Sequence, residues 1–382
     1  MIEEYIKHVS NRKYDLEVYE TDASGIKGNA AVVIWPEDED DVRKAIMYSK
    51  RTKHDITIRG GGSGFAGGAV PQDSIVLDMS RMNKAIAFDK KTVTVQAGVV
   101  IDSLNMGLVK GELYFPIIPL NFKVATVGGM LATNCIGLRS KHYGRLDRWV
   151  EEVRFIDGLG RLQKTNDMKI FLGREGTTGV ITSAKLKLTE IPDLVTMNLL
   201  SFNNITDCVD EAIKLKENHD VSNITFLDRI CSRVLGLGDK NHVIVEYLSN
   251  QGKIENEEEI KSLSKLLEGL PTVLLSKNFV SVHDPMFKIE NVDKFLYWLN
   301  ERKIPCYADL GFGVVYVHLK EDDRYLNEMY NVVESLKGIV PGCLGVGLRK
   351  KGRIDKQIIL DFMSLRQEYD PRKTFNRGKV YD

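Results

Sequence analysis

Hydrophobic and polar positions near the start of the chain switch between the spacing of a strand and that of a helix. Residues 29–35 form an apolar run that ends at Pro36, which is typical of a buried strand. An acidic stretch at 37–41 follows, and the apolar positions of residues 42–49 then recur on one helical face. A short β-branched run at 56–58 comes next, so the pattern predicts a strand–helix–strand unit.

Later segments extend this mixed pattern up to a change in composition. Residues 92–98 alternate like a half-buried strand, 102–110 have helical spacing, and 180–188 predict another strand. The Ile-Pro-Asp at 191–193 marks the change. Because a chain of 382 residues exceeds a usual single domain, we place a domain boundary there.

Beyond this boundary, strand-like and helix-like segments alternate in a different way. The segments are strands at 197–202, 242–248, 304–308 and 313–319, helices at 206–217, 254–268 and 291–301, and apolar runs at 223–227 and 272–275. This order is typical of an antiparallel sheet covered by helices on one face, the split βαβ arrangement. We therefore predict an α+β fold.

The charge balance argues against two broad classes of partner. Lys and Arg number 53 and Asp and Glu number 53, so the chain has no general attraction for nucleic acid or an anionic membrane surface. The five cysteines are scattered without a CxxC pair, which predicts neither a disulfide framework nor an iron–sulfur or zinc site. No apolar run approaches a membrane span, so we expect a cytoplasmic protein, with docking to a membrane-bound partner left open.

The glycine-rich stretch at residues 59–71 is the strongest chemical signal. Six of the nine residues 60–68 are glycine, and such a loop leaves its backbone N–H groups open to phosphate. The GxGxxG spacing also occurs in nicotinamide-binding folds, where a helix must follow, but here Pro71 and a strand-like run at 75–79 follow. We therefore predict a pyrophosphate site outside a nicotinamide Rossmann fold, with a flexible surface loop as the alternative.

A second glycine-rich segment lies at residues 125–134. It combines paired glycines with two threonines and an asparagine, which can bind phosphate or polar ring edges. The same pattern fits a tight helix–helix contact, so the segment alone leaves both interpretations open. Two further segments, at 141–147 and 171–182, add Tyr-Gly and Gly-Thr-Thr-Gly turns.

Together, these motifs resemble a known family of flavoproteins. The chain carries Arg-Gly-Gly-Gly-Ser-Gly-x-x-Gly-Gly, Ala-Thr-Val-Gly-Gly-x-x-Ala-Thr-Asn, Tyr-Gly-x-x-Asp and Gly-x-Glu-Gly-Thr-x-Gly-Val-Ile-Thr. These motifs are similar to the PCMH-type flavin domain of vanillyl-alcohol oxidase and p-cresol methylhydroxylase, and the resemblance covers residues 15–192. The glycolate oxidase and D-lactate dehydrogenase branch is the most similar. The resemblance implies a two-subdomain FAD-binding domain followed by a ferredoxin-like, antiparallel-sheet capping domain for substrate.

The resemblance also implies FAD with its pyrophosphate on the glycine loop. That loop contains no histidine, where some relatives attach flavin covalently, so non-covalent FAD is implied. Replacing Gly62 or Gly128 by a larger residue is then expected to remove the cofactor before it disrupts the fold. The implied cofactor-binding residues are Gly60, Gly61, Gly62, Ser63, Gly64, Gly67, Pro119, Thr126, Gly128, Gly129, Thr133, Asn134, Glu175, Gly179, Ile181 and Asn376.

The C-terminal segment extends the resemblance. Residues 370–380 are similar to the family's closing Asp-Pro…Asn-Pro-Gly-Lys segment, with Arg377 in place of proline, and this implies that Asn376 lies near the flavin. We therefore expect an FAD domain at residues 1–192, a capping domain at 193–340, and a return of 341–382 to the FAD domain.

The catalytic motifs of the relatives are only partly preserved. D-lactate-type relatives carry His-x-Gly-Asp-Gly-Asn-x-His on a capping-domain strand and Glu-His-Gly-x-Gly further on, which form a metal and base site. The corresponding segments here read Asp-Leu-Gly-Phe-Gly-Val-Val-Tyr at 309–316 and Cys-Leu-Gly-Val-Gly at 343–347. The glycines remain and the histidines do not, so we expect no metal.

Three side chains are candidates to replace the lost site. Tyr316 and His318 lie two apart on a predicted strand and so share a face, although a lone strand histidine is more often structural. Arg349 belongs to a basic run at 349–351 that either meets a substrate carboxylate or forms a solvated loop. A phenol accepts a proton only if a cation lowers its pKa well below about 10, and this basic run is the expected source. The alternative is that Tyr316 only orients the substrate.

The sequence therefore predicts an FAD-dependent oxidoreductase acting on CH–OH groups. The expected substrate is a small 2-hydroxy acid or related alcohol that transfers a hydride to flavin, with the electrons passing to an acceptor such as a partner protein. The alternative is an FAD-carrying electron-transfer or assembly subunit of a glycolate oxidase-like complex, which has no substrate chemistry of its own. The missing histidines also suit this alternative.

Overall fold

The computed structural model describes residues 6–381, which divide between two compact units. The first unit comprises Met1–Cys135, Arg145–Ile191 and Leu344–Asp382, and the second comprises Ile136–Gly144 and Pro192–Cys343. The short segment 136–144 thus joins the second unit from within the sequence of the first, which the sequence analysis did not foresee.

The helices and strands are numbered in chain order across both units. The strands of the first unit are β1 Val9–Ser10, β2 Asn29–Ile34, β3 Ile56–Arg59, β4 Gln72–Asp78, β5 Ala85–Asp89, β6 Thr92–Gln96, β7 Leu113–Tyr114, β8 Val150–Ile156, β9 Leu162–Thr165, β10 Val180–Lys187 and β11 Thr189–Glu190. The strands of the second unit are β12 Thr196–Phe202, β13 Val221–Leu227, β14 Asn241–Tyr247, β15 Ser281–His283, β16 Cys306–Asp309 and β17 Val314–Leu319. The helices are α1 Lys13–Glu17, α2 Glu39–Thr52, α3 Ile101–Leu108, α4 Val127–Thr133, α5 Ser140–Tyr143, α6 Ile205–Lys216, α7 Arg229–Val234, α8 Glu257–Ser276, α9 Ile289–Glu301, α10 Leu326–Ser335 and α11 Lys356–Tyr369.

One sheet of the first unit has the strand order β1-β2-β4-β3. Strands β2, β4 and β3 run parallel, with Val33 opposite Val76 and Ile58 opposite Leu77. The side chain of Asp38 caps the first turn of α2, and the apolar face of that helix packs into the core of this sheet. The glycine loop follows β3, at the carboxyl edge of the parallel strands, and the strand β4 follows the loop as the sequence predicts.

A second sheet of the first unit has the order β5-β6-β10-β8-β9, and its neighbours are antiparallel. Ser183 of β10 pairs with Gln96 at the end of β6. The chain then continues to Ala97, whose carbonyl accepts a hydrogen bond from the backbone N–H of Gly128. This sheet therefore fixes the position of α4 and of the second glycine-rich segment. Strands β7 and β11 pair separately.

The second unit is built on one antiparallel sheet with the order β12-β14-β13-β16-β17-β15. Alternate residues such as Ile224, Phe226, Val315 and Val317 are fully buried in a core that also contains the apolar faces of α6, α9 and α10. The other face carries more polar residues, with Tyr307 opposite Tyr316. We call it the polar face of the second unit. The predicted α+β fold, with an antiparallel sheet in the second unit, is confirmed.

None of the helices in residues 6–381 combines the length and the apolar character needed to cross a membrane. The apolar run at 272–275 is the last part of α8 rather than a separate element.

Candidate functional site

The two predicted glycine-rich segments meet in the first unit. A β-carbon on Gly60 would lie 2.3 Å from Oγ1 of Thr126, and one on Gly61 would lie 1.9 Å from the carbonyl oxygen of Val124. The Asn121 side chain donates a hydrogen bond of 2.8 Å to Oγ of Ser63. The loop that follows β3 therefore rests against the segment that leads into α4, and glycine is needed for this approach.

The backbone of the glycine loop has donor groups to spare. Within residues 6–381, no N–H group of residues 60–64 donates a hydrogen bond to the protein. By contrast, the N–H groups of Val127 and Gly128 donate to the carbonyls of Val99 and Ala97. Unpaired loop amides at the end of a strand fit the phosphates of a dinucleotide, so the cradle fits the pyrophosphate of FAD.

Several of the predicted glycines also have a packing role. Gly62 has a left-handed φ of +62°, and a β-carbon there would meet the Arg59 guanidinium at 2.3 Å. A β-carbon on Gly128 would lie 2.9 Å from Cβ of Ala97, and one on Gly179 would lie 2.8 Å from the carbonyl oxygen of Ile156. The expectation that larger residues at Gly62 or Gly128 remove the cofactor before they disrupt the fold therefore stays a prediction, and a side chain at either position would also meet protein atoms.

Other predicted cofactor residues lie around the same segments. The carbonyl of Pro119 accepts a hydrogen bond from the backbone N–H of Phe122, which closes a turn. Gly67 has a left-handed φ of +77°. Ile181 lies on β10 and is 7% exposed. A β-carbon on Gly129 would lie 3.1 Å from Oγ1 of Thr126.

The C-terminal end of α4 contains an unsatisfied polar atom. The hydroxyl of Thr133 donates to the carbonyl of Gly129 at 3.0 Å and so serves the helix itself. Asn134 follows in the left-handed conformation, and its buried Oδ1 has no hydrogen-bond partner in the protein. A buried acceptor without a donor is unfavourable, so it fits a site where a bound group supplies the hydrogen bond.

Glu175 and Asn376 hold the C-terminal segment to the first unit. The two carboxylate oxygens of Glu175 accept hydrogen bonds from the N–H groups of Val346 at 2.7 Å and Gly347 at 2.8 Å. Oδ1 of Asn376 accepts from the N–H of Ile58 at 3.2 Å, and its Nδ2 donates to the carbonyl of Glu175. Both side chains therefore bind protein atoms, while their contact with the cofactor stays a prediction.

Lys379 is a buried cation to which the sequence analysis gave no role. Its Nζ donates to the carbonyl of Gly68 at 2.8 Å and to Oγ1 of Thr57 at 3.2 Å. Burial lowers the pKa of Lys379 to about 7, although the carboxylates of Asp22 and Glu175 favour its charged form. A lysine after a C-terminal glycine looks like an ordinary solvated residue in the sequence, so nothing in the pattern indicates this burial.

Arg349 and Lys350 of the basic run at 349–351 do not form the solvated loop expected as one alternative, whereas Lys351 is exposed. Arg349 donates to the carbonyls of Phe65 at 3.2 Å and Ser24 at 2.7 Å. Lys350 is fully buried and donates to the carbonyl of Gly345 at 2.7 Å. These two side chains bind main-chain carbonyls of the first unit, next to the glycine loop.

Tyr316 and His318 do share a face of β17, as predicted. The ring of Tyr307, on the neighbouring strand β16, stacks on Tyr316 with centroids 4.7 Å apart and lies 5.5 Å from the ring of His318. This places the three rings together on the polar face of the second unit.

The electrostatic surroundings of Tyr316 contradict the lowered pKa that a base requires. Burial raises the pKa of Tyr316 well above its usual value, and Cys343, Tyr307 and Asp309 raise it further. Its hydroxyl lies 3.4 Å from Sγ of Cys343. Burial also lowers the pKa of His318 to about 4, despite a small opposing effect of the Phe279 backbone, so its ring is neutral at pH 7. Tyr316 is therefore a neutral phenol that can orient a substrate but cannot readily deprotonate it.

Asp309 lies beside these rings, at the end of β16. Its Oδ1 accepts a hydrogen bond of 3.0 Å from the N–H of Phe312. Burial raises the pKa of Asp309 to about 7. The sequence analysis gave this residue no acid–base role, since nothing in the sequence shows that the carboxyl is buried.

No metal centre is formed by the residues that the structure describes. Within 6–381, no three His, Cys, Asp or Glu side chains are grouped so that they could hold a metal ion.

Comparisons with known proteins extend over nearly the whole chain. A sequence model of the FAD binding domain matches residues 30–166. The D-2-hydroxyglutarate dehydrogenase of Danio rerio mitochondria is 31% identical, over 93% of this chain and 79% of that protein. A D-lactate dehydrogenase of Archaeoglobus fulgidus is 25% identical over 91% of both chains, and the glycolate oxidase subunit GlcD of Bacillus subtilis is 24% identical over 91% of this chain and 88% of that protein.

The fold is also found in a solved structure. An alkyldihydroxyacetonephosphate synthase superposes on 98% of this chain and 82% of its own length, with a TM-score of 0.70 and 16% identity. At this identity the likeness establishes the fold alone. With the glycine cradle, the matching FAD domain and the full-length relatives, the chain belongs to the PCMH-type family of FAD-binding flavoproteins that includes the D-lactate and D-2-hydroxyglutarate dehydrogenases, and FAD is its cofactor.

Proposed function

We propose that this protein oxidises a small 2-hydroxy acid, or a related alcohol, to the corresponding carbonyl compound and passes the electrons to a separate acceptor. The observation that carries this proposal is the full-length likeness to dehydrogenases of hydroxy acids, which includes the second unit as well as the FAD domain. A protein that only bound FAD would need to resemble these dehydrogenases only over the residues of the first unit.

The first unit holds the cofactor in this proposal. When bound, FAD supplies the oxidising power by accepting a hydride from the carbon that carries the hydroxyl group. The N–H groups of residues 60–64 bind the pyrophosphate, and the buried Oδ1 of Asn134 accepts a hydrogen bond from the bound nucleotide. Arg349 keeps the segment after the loop in place through the carbonyl of Phe65.

The polar face of the second unit orients the substrate. Tyr316 and His318 are both neutral at pH 7, so they act as hydrogen-bonding groups for the hydroxyl or the carboxylate rather than as charged partners. The stacked ring of Tyr307 restricts the orientation of Tyr316. Arg349, which the sequence analysis proposed as a carboxylate ligand, has a positioning role instead because its guanidinium binds main-chain carbonyls.

A second function is favoured by one specific observation. Within residues 6–381, no three His, Cys, Asp or Glu side chains are grouped so that they could hold a metal ion. One relative is also named as a subunit of glycolate oxidase. A chain that carries FAD for a partner subunit would need no catalytic metal or base of its own. The acceptor in either case is a small molecule or a partner protein.

Anaerobic mixing separates the two functions. The FAD-loaded protein is mixed with D-lactate, glycolate and D-2-hydroxyglutarate, and the visible flavin absorption is followed. Bleaching by one of these acids, and not by its L enantiomer where one exists, supports the oxidase or dehydrogenase function. An oxidised flavin that none of the acids, related alcohols or sugar acids reduces, although dithionite does, supports the electron-transfer subunit.

A further inference from the structure

We propose that Asp309 is the general base that accepts the hydroxyl proton of the substrate. This inference rests on the proposed function and assigns the proton to a residue of the second unit for which the sequence suggested no such role. Oxidation of an alcohol carbon needs a group that takes the hydroxyl proton as the hydride leaves, and neither Tyr316 nor His318 suits that task.

The position of Asp309 fits this role. It is the last residue of β16, it pairs with Val314 of β17 and Thr225 of β13, and it retains 8% exposure. Because side chains two apart on a strand share a face, Asp309 projects on the same face as Tyr307. The carboxyl therefore belongs to the polar face that carries the tyrosine stack.

The hydrogen bonds of Asp309 differ from those of structural carboxylates in the same chain. In Glu175, Asp228 and Asp370, both oxygens accept a hydrogen bond from a backbone N–H group. In Asp309, the N–H of Phe312 donates to Oδ1, and the backbone N–H of Gly311 also stabilises the carboxylate. Within residues 6–381, no side chain donates to Oδ2. That oxygen is left for a substrate hydroxyl.

Within residues 6–381, no ion pair joins Asp309 to a cation. Lys141 of α5 passes beside Gly311, but its ammonium donates to the carbonyls of Asn218 and Val221. The other ionisable groups on this face include the phenols of Tyr307 and Tyr316 and the imidazoles of His242 and His318, whose pKa values are lowered by burial. Glu246 also lies on this face and is paired with Arg139.

Burial without an ion pair gives the carboxyl a high proton affinity. Burial raises the pKa of Asp309 to about 7, and the N–H groups of Phe312 and Gly311 oppose this only in part. A base with a pKa near the working pH combines a useful ionised fraction with a strong affinity for the proton.

The proton transfer balances with the hydride transfer. The O–H bond of the substrate breaks, and the proton forms a new bond to Oδ2 of Asp309. The electron pair of the O–H bond becomes the second bond of the carbonyl, while the C–H bond breaks and its electron pair leaves with the hydride as described above. Asp309 changes from a carboxylate to a carboxylic acid and later returns the proton to water.

The first test measures flavin reduction in the FAD-loaded, full-length Asp309→Asn variant. Asparagine keeps an acceptor for the Phe312 N–H but cannot take a proton. With whichever of D-lactate, glycolate and D-2-hydroxyglutarate reduces the wild type fastest, we expect a loss of about 10²–10⁴-fold in the reduction rate and unchanged FAD content. The wild-type rate should rise with pH through an apparent pKa near 7, and this limb should disappear in the variant.

Two control variants accompany this test. Asp210→Asn makes the same chemical change on the exposed surface of α6 and should leave the rate unchanged. Asp309→Glu retains a carboxyl and should recover part of the rate, which a purely structural role of Asp309 would not predict.

A second readout needs no substrate. A pH titration followed by difference infrared spectroscopy detects the C=O stretch of a protonated carboxyl, and the band missing from Asp309→Asn belongs to Asp309. The proposal predicts that this band disappears with a midpoint near pH 7. A midpoint below about pH 5, or an asparagine variant whose rate and pH profile match the wild type, overturns the proposal. If the band titrates near pH 7 but no hydroxy acid reduces the wild-type flavin, the proposed function fails, and the base role fails with it.

Discussion

Gly64 differs from the neighbouring glycines of the loop in having open space where a β-carbon would lie. Its φ is not left-handed, so alanine is compatible with its backbone. At Gly61, by contrast, a β-carbon would collide with the carbonyl of Val124. Substitutions at the two positions therefore distinguish an effect on cofactor contact from an effect on packing within the protein.

We predict that Gly64→Ala folds normally and binds FAD more weakly, because its methyl group would meet the phosphates rather than the protein. The matched Gly61→Ala variant should lose both stability and FAD. The measurements are the dissociation constant for FAD and the unfolding temperature of the FAD-free protein. An FAD affinity equal to that of the wild type in Gly64→Ala would remove this residue from the cofactor site.

Lys379 should make the stability of the FAD-free protein depend on alkaline pH. Its folded-state pKa of about 7 lies below the ordinary value of 10.5, so between these values the unfolded chain binds a proton that the folded chain lacks. Stability should therefore rise as the pH increases from 7 towards 10, by at most about 1.4 kcal/mol per pH unit.

The Lys379→Met variant tests this dependence. Methionine has a similar length and no charge, so the rise in unfolding temperature between pH 7 and 9.5 should be smaller than in the wild type. Identical slopes in the two proteins would show that Lys379 is protonated in the folded state or exchanges with solvent.

At the scale of the elements, the segment that contains α5 is held in the second unit by a partly buried ion pair. Arg139 binds both oxygens of Glu246, at 2.7 and 3.1 Å, and Ser222 donates to the same carboxylate. The two charged side chains are 21% and 10% exposed. A bidentate pair of this kind is stronger than an exposed one.

We predict that Arg139→Ala lowers the free energy of unfolding of the second unit by about 1–3 kcal/mol, because it removes the bidentate partner of a partly buried carboxylate. Hydrogen exchange of the β13 and β14 amides in the full-length protein measures this loss. Lys261→Ala, which removes an exposed partner of Glu257 on α8, is the control and should leave this exchange unchanged. Equal exchange in both variants would contradict the prediction.

The comparison between sequence and structure is also clearest at the level of elements. Local periodicity predicts the strands and helices around the glycine loop, because side-chain alternation and helix caps are local properties. It does not predict that residues 136–144 join the second unit, since the contacts of Lys141 with Asn218 and Val221 join positions far apart in sequence.

The same distinction between local properties and tertiary contacts applies to the residues of the site. Glycine motifs indicate the phosphate cradle because glycine is required at each point of close approach. The burial of Asp309 and Lys379 depends on strands and segments that pack over them, so the pKa of each depends on the tertiary structure. The raised pKa of Tyr316 has the same origin, because the groups that surround it are a thiol, a phenol and a carboxyl rather than a cation, and this favours the expected alternative in which Tyr316 only orients the substrate.

At the scale of the whole molecule, we predict that the purified protein is yellow and contains close to one FAD per chain, bound without a covalent bond. Acid precipitation followed by absorption spectroscopy of the supernatant and the pellet tests this. Flavin in the supernatant is the expected result, because the glycine loop contains no histidine. Flavin that stays in the pellet would reveal a covalent link to another residue.

The central claim is that this chain itself removes a hydride from the carbon that bears the hydroxyl group, and anaerobic stopped-flow reduction of its flavin tests this most directly. The experiment compares D-lactate and glycolate with their forms deuterated at carbon 2, in single turnovers without an acceptor. If the C–H bond breaks during reduction, the flavin bleaches, and the deuterated acid reduces it at a slower rate. A flavin that stays oxidised with these acids and with D-2-hydroxyglutarate, while dithionite reduces it fully, would contradict the claim.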